Sequence, residues 1–283
     1  MSGQKSTTLD WYRPGLGESW LIAGLMVLSG LVFGLFIGLA KSIAPGPLWE
    51  IQSLSYLLTF VIPAIYIASR ARAAKNEGLM TGVSPFAVNH PSFGPLGAFA
   101  VFAIAAVALV SISVISEPTT SFLPMPDYFK AIFETAFVNT ALWDAILSTC
   151  ILAPILEELL CRGIMMRGML RTTKPWKAIF WSAFIFAFIH LNPWQAIPAF
   201  IIGLFFGWVY YRTRCLWLTI FLHCLNNSIS VAITRLLPDV GIDEGLIDIL
   251  PHNTYVAVYI AGCLLLAGAV ILLNKYLPKR NDE

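Results

Sequence analysis

Apolar windows recur along the chain at about the 20-residue length that spans a hydrocarbon core. Windows 19–40, 51–69, 95–116 and 254–274 contain no charged residue. Windows 194–211 and 215–234 are nearly as apolar, although the second carries His223, Asn226 and Asn227. Window 178–191 is short and gains length from its flanks. Window 140–161 holds Asp144, Glu157 and Glu158 among otherwise apolar residues. The pattern predicts an all-α polytopic membrane protein of about eight transmembrane helices. We read it as one integral membrane domain over 1–283, with a catalytic core at 140–235. Two connections are long: 76–94, rich in Gly and Pro, and 117–139, where 128–133 suits a short interfacial helix.

Composition agrees with that reading. The chain is 58% hydrophobic and 12% charged, with a mean hydropathy of +0.75, against about 25% charged in soluble domains. A net charge of +2 carries no footprint of nucleic-acid binding. With the N-terminus inside, fourteen Lys and Arg fall on the inner side and only Lys41, Lys130 and Arg235 outside, with Arg162 left in the membrane. By the positive-inside rule both termini are expected in the cytoplasm. Residues 1–12 lack the pattern of a cleaved signal, so the first helix is expected to serve as the insertion signal. Short loops and modest size point to a bacterial cytoplasmic membrane.

The remaining small motifs read as packing. The five cysteines lie in apolar runs without a C-x-x-C pair, which suggests neither a disulfide framework nor a zinc ribbon. Gly30, Gly34 and Gly38, and Gly203 with Gly207, are spaced for close helix approach.

The membrane-embedded polar set is small: Asp144, Glu157, Glu158, Arg162, His190, His223, Asn226 and Asn227. Ionised groups in a membrane cost several kcal/mol or more unless paired or solvated, so each needs a reason. Glu158 and Arg162 are spaced i, i+4 with the acid first, which permits an ion pair on one helix face. Glu157 is rotated by about 100° from that face and stays free for chemistry. Phe186 and His190, and His223 and Asn227, are also i, i+4 pairs. At about 1.5 Å per residue from the basic belt, Glu157, His190, His223 and Asn227 all lie roughly 14–20 Å deep. Three helices thus deliver polar groups to one layer, which predicts a single cavity open to the cytoplasmic side or to the bilayer.

A carboxylate with a neutral imidazole can take a proton from water, and a second imidazole with an amide can hold the resulting oxyanion. Those tasks suit Glu157 with His190, and His223 with Asn227. Cys161 and Cys224 qualify as nucleophiles by proximity alone.

The three motifs, Glu157-Glu158-x-x-x-Arg162, Phe186-x-x-x-His190 and His223-x-x-x-Asn227, together resemble the CAAX protease and bacteriocin-processing family (CPBP, or Abi). That family is similar to the Ras-converting CAAX prenyl endopeptidase. The resemblance covers about 140–235. It implies an intramembrane endopeptidase that hydrolyses a peptide bond near the cytoplasmic side. Glu157 and His190 would activate water, His223 and Asn227 would hold the oxyanion, and Glu158, Arg162 and Phe186 would give structural support. The expected partners are the bilayer and a peptide or membrane-protein substrate, lipidated or not. No metal is favoured, because the H-E-x-x-H spacing is missing. If zinc binds, Glu157, His190 and His223 are its candidate ligands. Two other classes compete: a non-enzymatic bacteriocin-immunity or partner-binding membrane protein, and a secondary transporter. Against the transporter, the chain has no repeated half and no paired broken helices.

Overall fold

Helices account for all of the regular structure in the computed structural model, which describes residues 6–82, 85–237 and 239–280. Six are long and apolar enough to cross a membrane: α1 (Leu16–Ile43), α2 (Gln52–Thr81), α3 (Gly97–Ser116), α6 (Pro193–Thr213), α7 (Leu216–Leu236) and α8 (His252–Tyr276). The other two expected segments are also helical. They are α4, a nearly straight-through run over 142–169, and the 14-residue α5 (Pro175–Phe188). The chain is an all-α integral, multi-pass membrane protein. The 117–139 connection contains a short helix at Asp127–Phe133.

Helix α4 departs from ordinary α geometry in a way its sequence explains. Two π-helical stretches, Ile146–Leu152 and Leu159–Met166, flank the α-turn Ala153–Glu158. Pro154 has no N–H for the carbonyl four residues earlier and its ring crowds that turn, so the helix widens before it. The two glutamates sit in the regular turn between the widened ones. Single π turns inside α-helices occur often at functional sites.

Helix α2 runs further than the 51–69 window, to Thr81, and begins under a cap from another helix. The Asp144 carboxylate accepts the backbone N–H of Gln52 at 2.5 Å and of Ser53 at 2.9 Å. Those are orphan donors of a helix N-terminus, which favours a negative group. One acid of the embedded polar set is thereby accounted for as structure.

The two ends of the bundle differ. At one end Arg167, only 1% exposed, donates to the carbonyls of Gly163, Leu9, Asp10, Tyr12 and Phe86. It thus ties the N-terminal segment and the 85–93 strap beneath α4. Arg212 likewise donates to the carbonyls of Pro278, Asn274 and Leu277. At the other end Trp194 bonds Leu123, Arg235 bonds Val138 and Thr140, and Lys130 pairs with Asp243 at 2.7 Å.

Glycine spacing divides by helix. A Cβ at Gly203 would lie 3.2 Å from that of Ala183, and one at Gly207 would lie 3.1 Å from Ile179. This is the close approach that lets α6 pack along α5, the most extensive helix pairing in the fold. Gly34 and Gly38 meet nothing within 4 Å and Gly30 only Thr59 at 3.7 Å. Among the described residues the expected close packing across the α1 stripe is therefore not made.

Candidate active site

Glu157, Phe186, His190, His223 and Asn227 line one cavity of about 670 Å³ inside the bundle. Helix α4 carries Glu157, α5 Phe186, and α7 His223 and Asn227, while His190 lies in the turn after α5; α1, α2, α3 and α6 complete the wall. The single cavity expected from residue depth is present. Its position along the bundle differs from expectation. Gln52, Glu117, Phe137, Trp194 and Gln195 also line it, and all five belong to the end remote from the Arg167 tie. A site near the cytoplasmic side does not follow from that placement.

The carboxylate of Glu157 is held from a helix that carries none of the motifs. Tyr56 Oη donates to Glu157 Oε1 at 2.6 Å. The other oxygen, Oε2, lies 3.9 Å from His223 Nε2. That gap is too long for a direct hydrogen bond.

His223 stands between the two glutamates. Its Nδ1 lies 3.2 Å from Glu158 Oε1. That oxygen also accepts from Arg162 Nη1 at 2.7 Å. A carboxylate oxygen can only accept, so Nδ1 of His223 carries a proton and Nε2 faces Glu157. Arg162 and Glu158 are both fully buried. The guanidinium donates also to the Gly203 carbonyl at 3.0 Å, and its carbon lies 4.6 Å from the Phe186 centroid and 5.5 Å from that of Phe206. The i, i+4 pair expected from spacing exists, and it anchors the imidazole besides closing the floor of the cavity.

His190 is placed by a turn. Helix α5 ends at Phe188, two residues before it, so the helical Phe186–His190 face expected from spacing gives way to a tighter arrangement. Nδ1 of His190 still reaches the Phe186 carbonyl at 2.8 Å and the two rings meet edge-on at 5.2 Å. A carbonyl only accepts, so Nδ1–H donates and Nε2 is left for the cavity. Asn192 fixes the turn from the far side: Nδ2 donates to the His190 carbonyl and Oδ1 caps α6 at Gln195 N. Leu191 between them has φ +56°, a left-handed conformation that costs a non-glycine residue of order 1 kcal/mol and clusters at functional sites.

Asn227 donates through Nδ2 to the Thr149 carbonyl at 2.8 Å and accepts on Oδ1 from Asn226 Nδ2 at 3.2 Å. Among the described residues the second N–H of its amide has no partner. Asn226, turned off the His223 face as its spacing requires, accepts from Ser113 at 3.3 Å. Cys161 is wholly buried, and neither it nor Cys224 lines the cavity.

Among the described residues no three or more His, Cys, Asp or Glu converge as metal ligands.

The roles of Tyr56 and Asp144 are not legible in the sequence. An apolar helix with two tyrosines, Tyr56 and Tyr66, gives no signal of what either does, and the distances to Glu157 and to α2 are long-range facts. Replacing Tyr56 by Phe removes a hydrogen bond to a charged acceptor. A bond of that kind contributes about 1.5–3 kcal/mol. The expected result for Tyr56→Phe is a kcat lower by roughly ten- to a hundredfold with KM little changed, read from Michaelis curves on a cleaved peptide.

Residues 139–229 match the family model described as Type II CAAX prenyl endopeptidase Rce1-like. No curated protein and no solved structure matches the chain. The matched segment holds all three motifs, and helices α1, α2, α3 and α8 lie outside it.

Proposed function

We propose that this chain, akin through residues 139–229 to the CAAX prenyl endopeptidases, is an intramembrane endopeptidase that hydrolyses peptide bonds with a glutamate-activated water. One observation carries the reading: Glu157 on α4, His190 in the turn after α5, and His223 and Asn227 on α7 face one cavity in a membrane bundle. Glu157 is the base, aimed by Tyr56. His190 offers Nε2 to the same cavity and accepts or returns the proton as the nucleophile adds and the amine leaves. His223 and the free Asn227 amide proton stabilise the oxyanion. His223 must be doubly protonated for that role, and Glu158 on its Nδ1 supports the positive charge. A base and an oxyanion donor serving one carbonyl need to lie near each other, and the 3.9 Å between Glu157 and His223 meets that need.

No step is routed through a metal. The substrate class is a peptide or the tail of a membrane protein, with or without a lipid. The test is a peptide pool incubated with purified protein, with and without a strong chelator, and read by mass spectrometry. Cleavage that survives the chelator is the expected result. An inert protein, active in neither arm, would refute the enzyme reading, and loss of cleavage with chelator would refute the metal-free mechanism.

A further inference from the structure

Three observations bear on the direction from which a substrate reaches Glu157. The first is a closed floor. Every residue over 160–169, the stretch of α4 between the glutamates and the basic end, is buried. Arg162, Met165, Met166, Phe206 and Tyr210 are fully enclosed, and the Glu158–Arg162 pair with its two aromatic rings lies directly under His223. Neither a peptide nor a file of water passes there without dismantling a buried ion pair and the packing around it.

The second is the opposite wall. At the other end the lining residues are reachable: Leu191 is 60% exposed and Ser230 is exposed, while Gln52, Glu117 and Gln195 are half-buried. The cavity therefore opens where α3 ends and the α5–α6 turn lies.

The third is charge. Among the described residues thirteen Lys and Arg sit at the floor end, and only Lys41, Lys130 and Arg235 at the mouth end, with Arg162 between. The hydrogen bonds that tie each end together confirm which residues share it: Arg167 with Leu9 and Phe86, and the carbonyl of Arg214 with His90, at one; Trp194 with Leu123, and Tyr255 with Glu117, at the other. Basic residues accumulate on the cytoplasmic side of membrane proteins.

We infer that the scissile peptide bond and the hydrolytic water reach Glu157 from the extracytoplasmic end, so that the substrates are peptides or membrane-protein segments presented on the outer face. The identity of the entrant as a peptide rests on the endopeptidase reading; the direction of entry does not. A tail lipidated and matured in the cytoplasm meets the closed floor.

Accessibility decides the direction without any need for activity. Single cysteines are placed at the mouth (Gln195→Cys and, independently, Ser230→Cys) and at the floor end (Lys174→Cys). Each is treated with a membrane-impermeant maleimide in whole cells and in sealed inverted vesicles, against the parent chain, whose exposed Cys263 sets the background. The expected result is labelling of the mouth variants in whole cells and of Lys174→Cys only in inverted vesicles. Mouth variants that label only in inverted vesicles, or a Lys174→Cys that labels in whole cells, would overturn the inference. A membrane-impermeant peptide cleaved by the solubilised protein is then offered to vesicles of each orientation. Cleavage confined to right-side-out vesicles supports the inference, and cleavage confined to inverted ones overturns it. Absence of cleavage even by solubilised protein would count against the endopeptidase reading alone, and the direction found by labelling would stand.

Discussion

Glu157→Gln abolishes peptide hydrolysis while the protein inserts, purifies and melts as before. The substitution keeps the volume and leaves an amide oxygen to accept from Tyr56, whose hydroxyl reaches Oε1 at 2.6 Å. What it removes is the basic oxygen facing His223 Nε2 across 3.9 Å. A positioned general base contributes typically about 10²–10⁴-fold to rate, so kcat/KM on a cleaved peptide should fall by about that factor. The melting temperature in detergent, followed in parallel, should move little, because the substitution keeps the side-chain volume and an oxygen to accept from Tyr56. A variant that keeps full activity would remove Glu157 from the mechanism and leave the cavity without a base.

Arg162→Met is expected to have the largest effect on stability. Arg162 and Glu158 are both fully buried, 2.7 Å apart, and among the described residues Glu158 Oε2 has no partner of its own. Removing the guanidinium leaves a carboxylate enclosed with a single imidazole for compensation, and breaking a buried pair in this way costs about 3–5 kcal/mol. The same substitution removes the bond to the Gly203 carbonyl and the stacking on Phe186 and Phe206. Replacing both partners by apolar residues of similar volume is often neutral, so Glu158→Leu with Arg162→Met should recover most of the lost stability. Activity should not return with it, since His223 Nδ1 would have lost the carboxylate that holds it at 3.2 Å. Thermal unfolding and peptide cleavage measured on the single and double variants separate the two roles. Recovery of activity in the double variant would make the pair purely structural.

The family that residues 139–229 resemble is named for prenylated tails, whereas the cavity mouth lies at the end poor in basic residues. The two are compatible if the chemistry of the motif segment is shared and the route of access is set by the surrounding helices. Those helices, α1, α2, α3 and α8, lie outside the matched segment. Two of them nonetheless supply Tyr56, Gln52 and Ser113 to the cavity wall, and Glu117 lines it just beyond the end of α3.

Membrane class, helical segments, the sorting of basic residues and the polar set worth following are all legible in the chain alone. These are local or periodic properties: apolar length sets a span, and a spacing of four sets a face. The Glu158–Arg162 pair follows for that reason, and so does the packing at Gly203 and Gly207. Other features exist only once the helices are assembled. That Tyr56 aims Glu157 and Asp144 caps α2 depends on contacts 101 and 92 residues apart in the chain. His190 sits in a turn because Asn192 and the start of α6 hold it there, a matter of where α5 stops. Which end of the cavity is open depends on how many side chains meet beneath the glutamates. A hydropathy pattern records only how apolar each of those side chains is, and packing in three dimensions settles whether they close the gap.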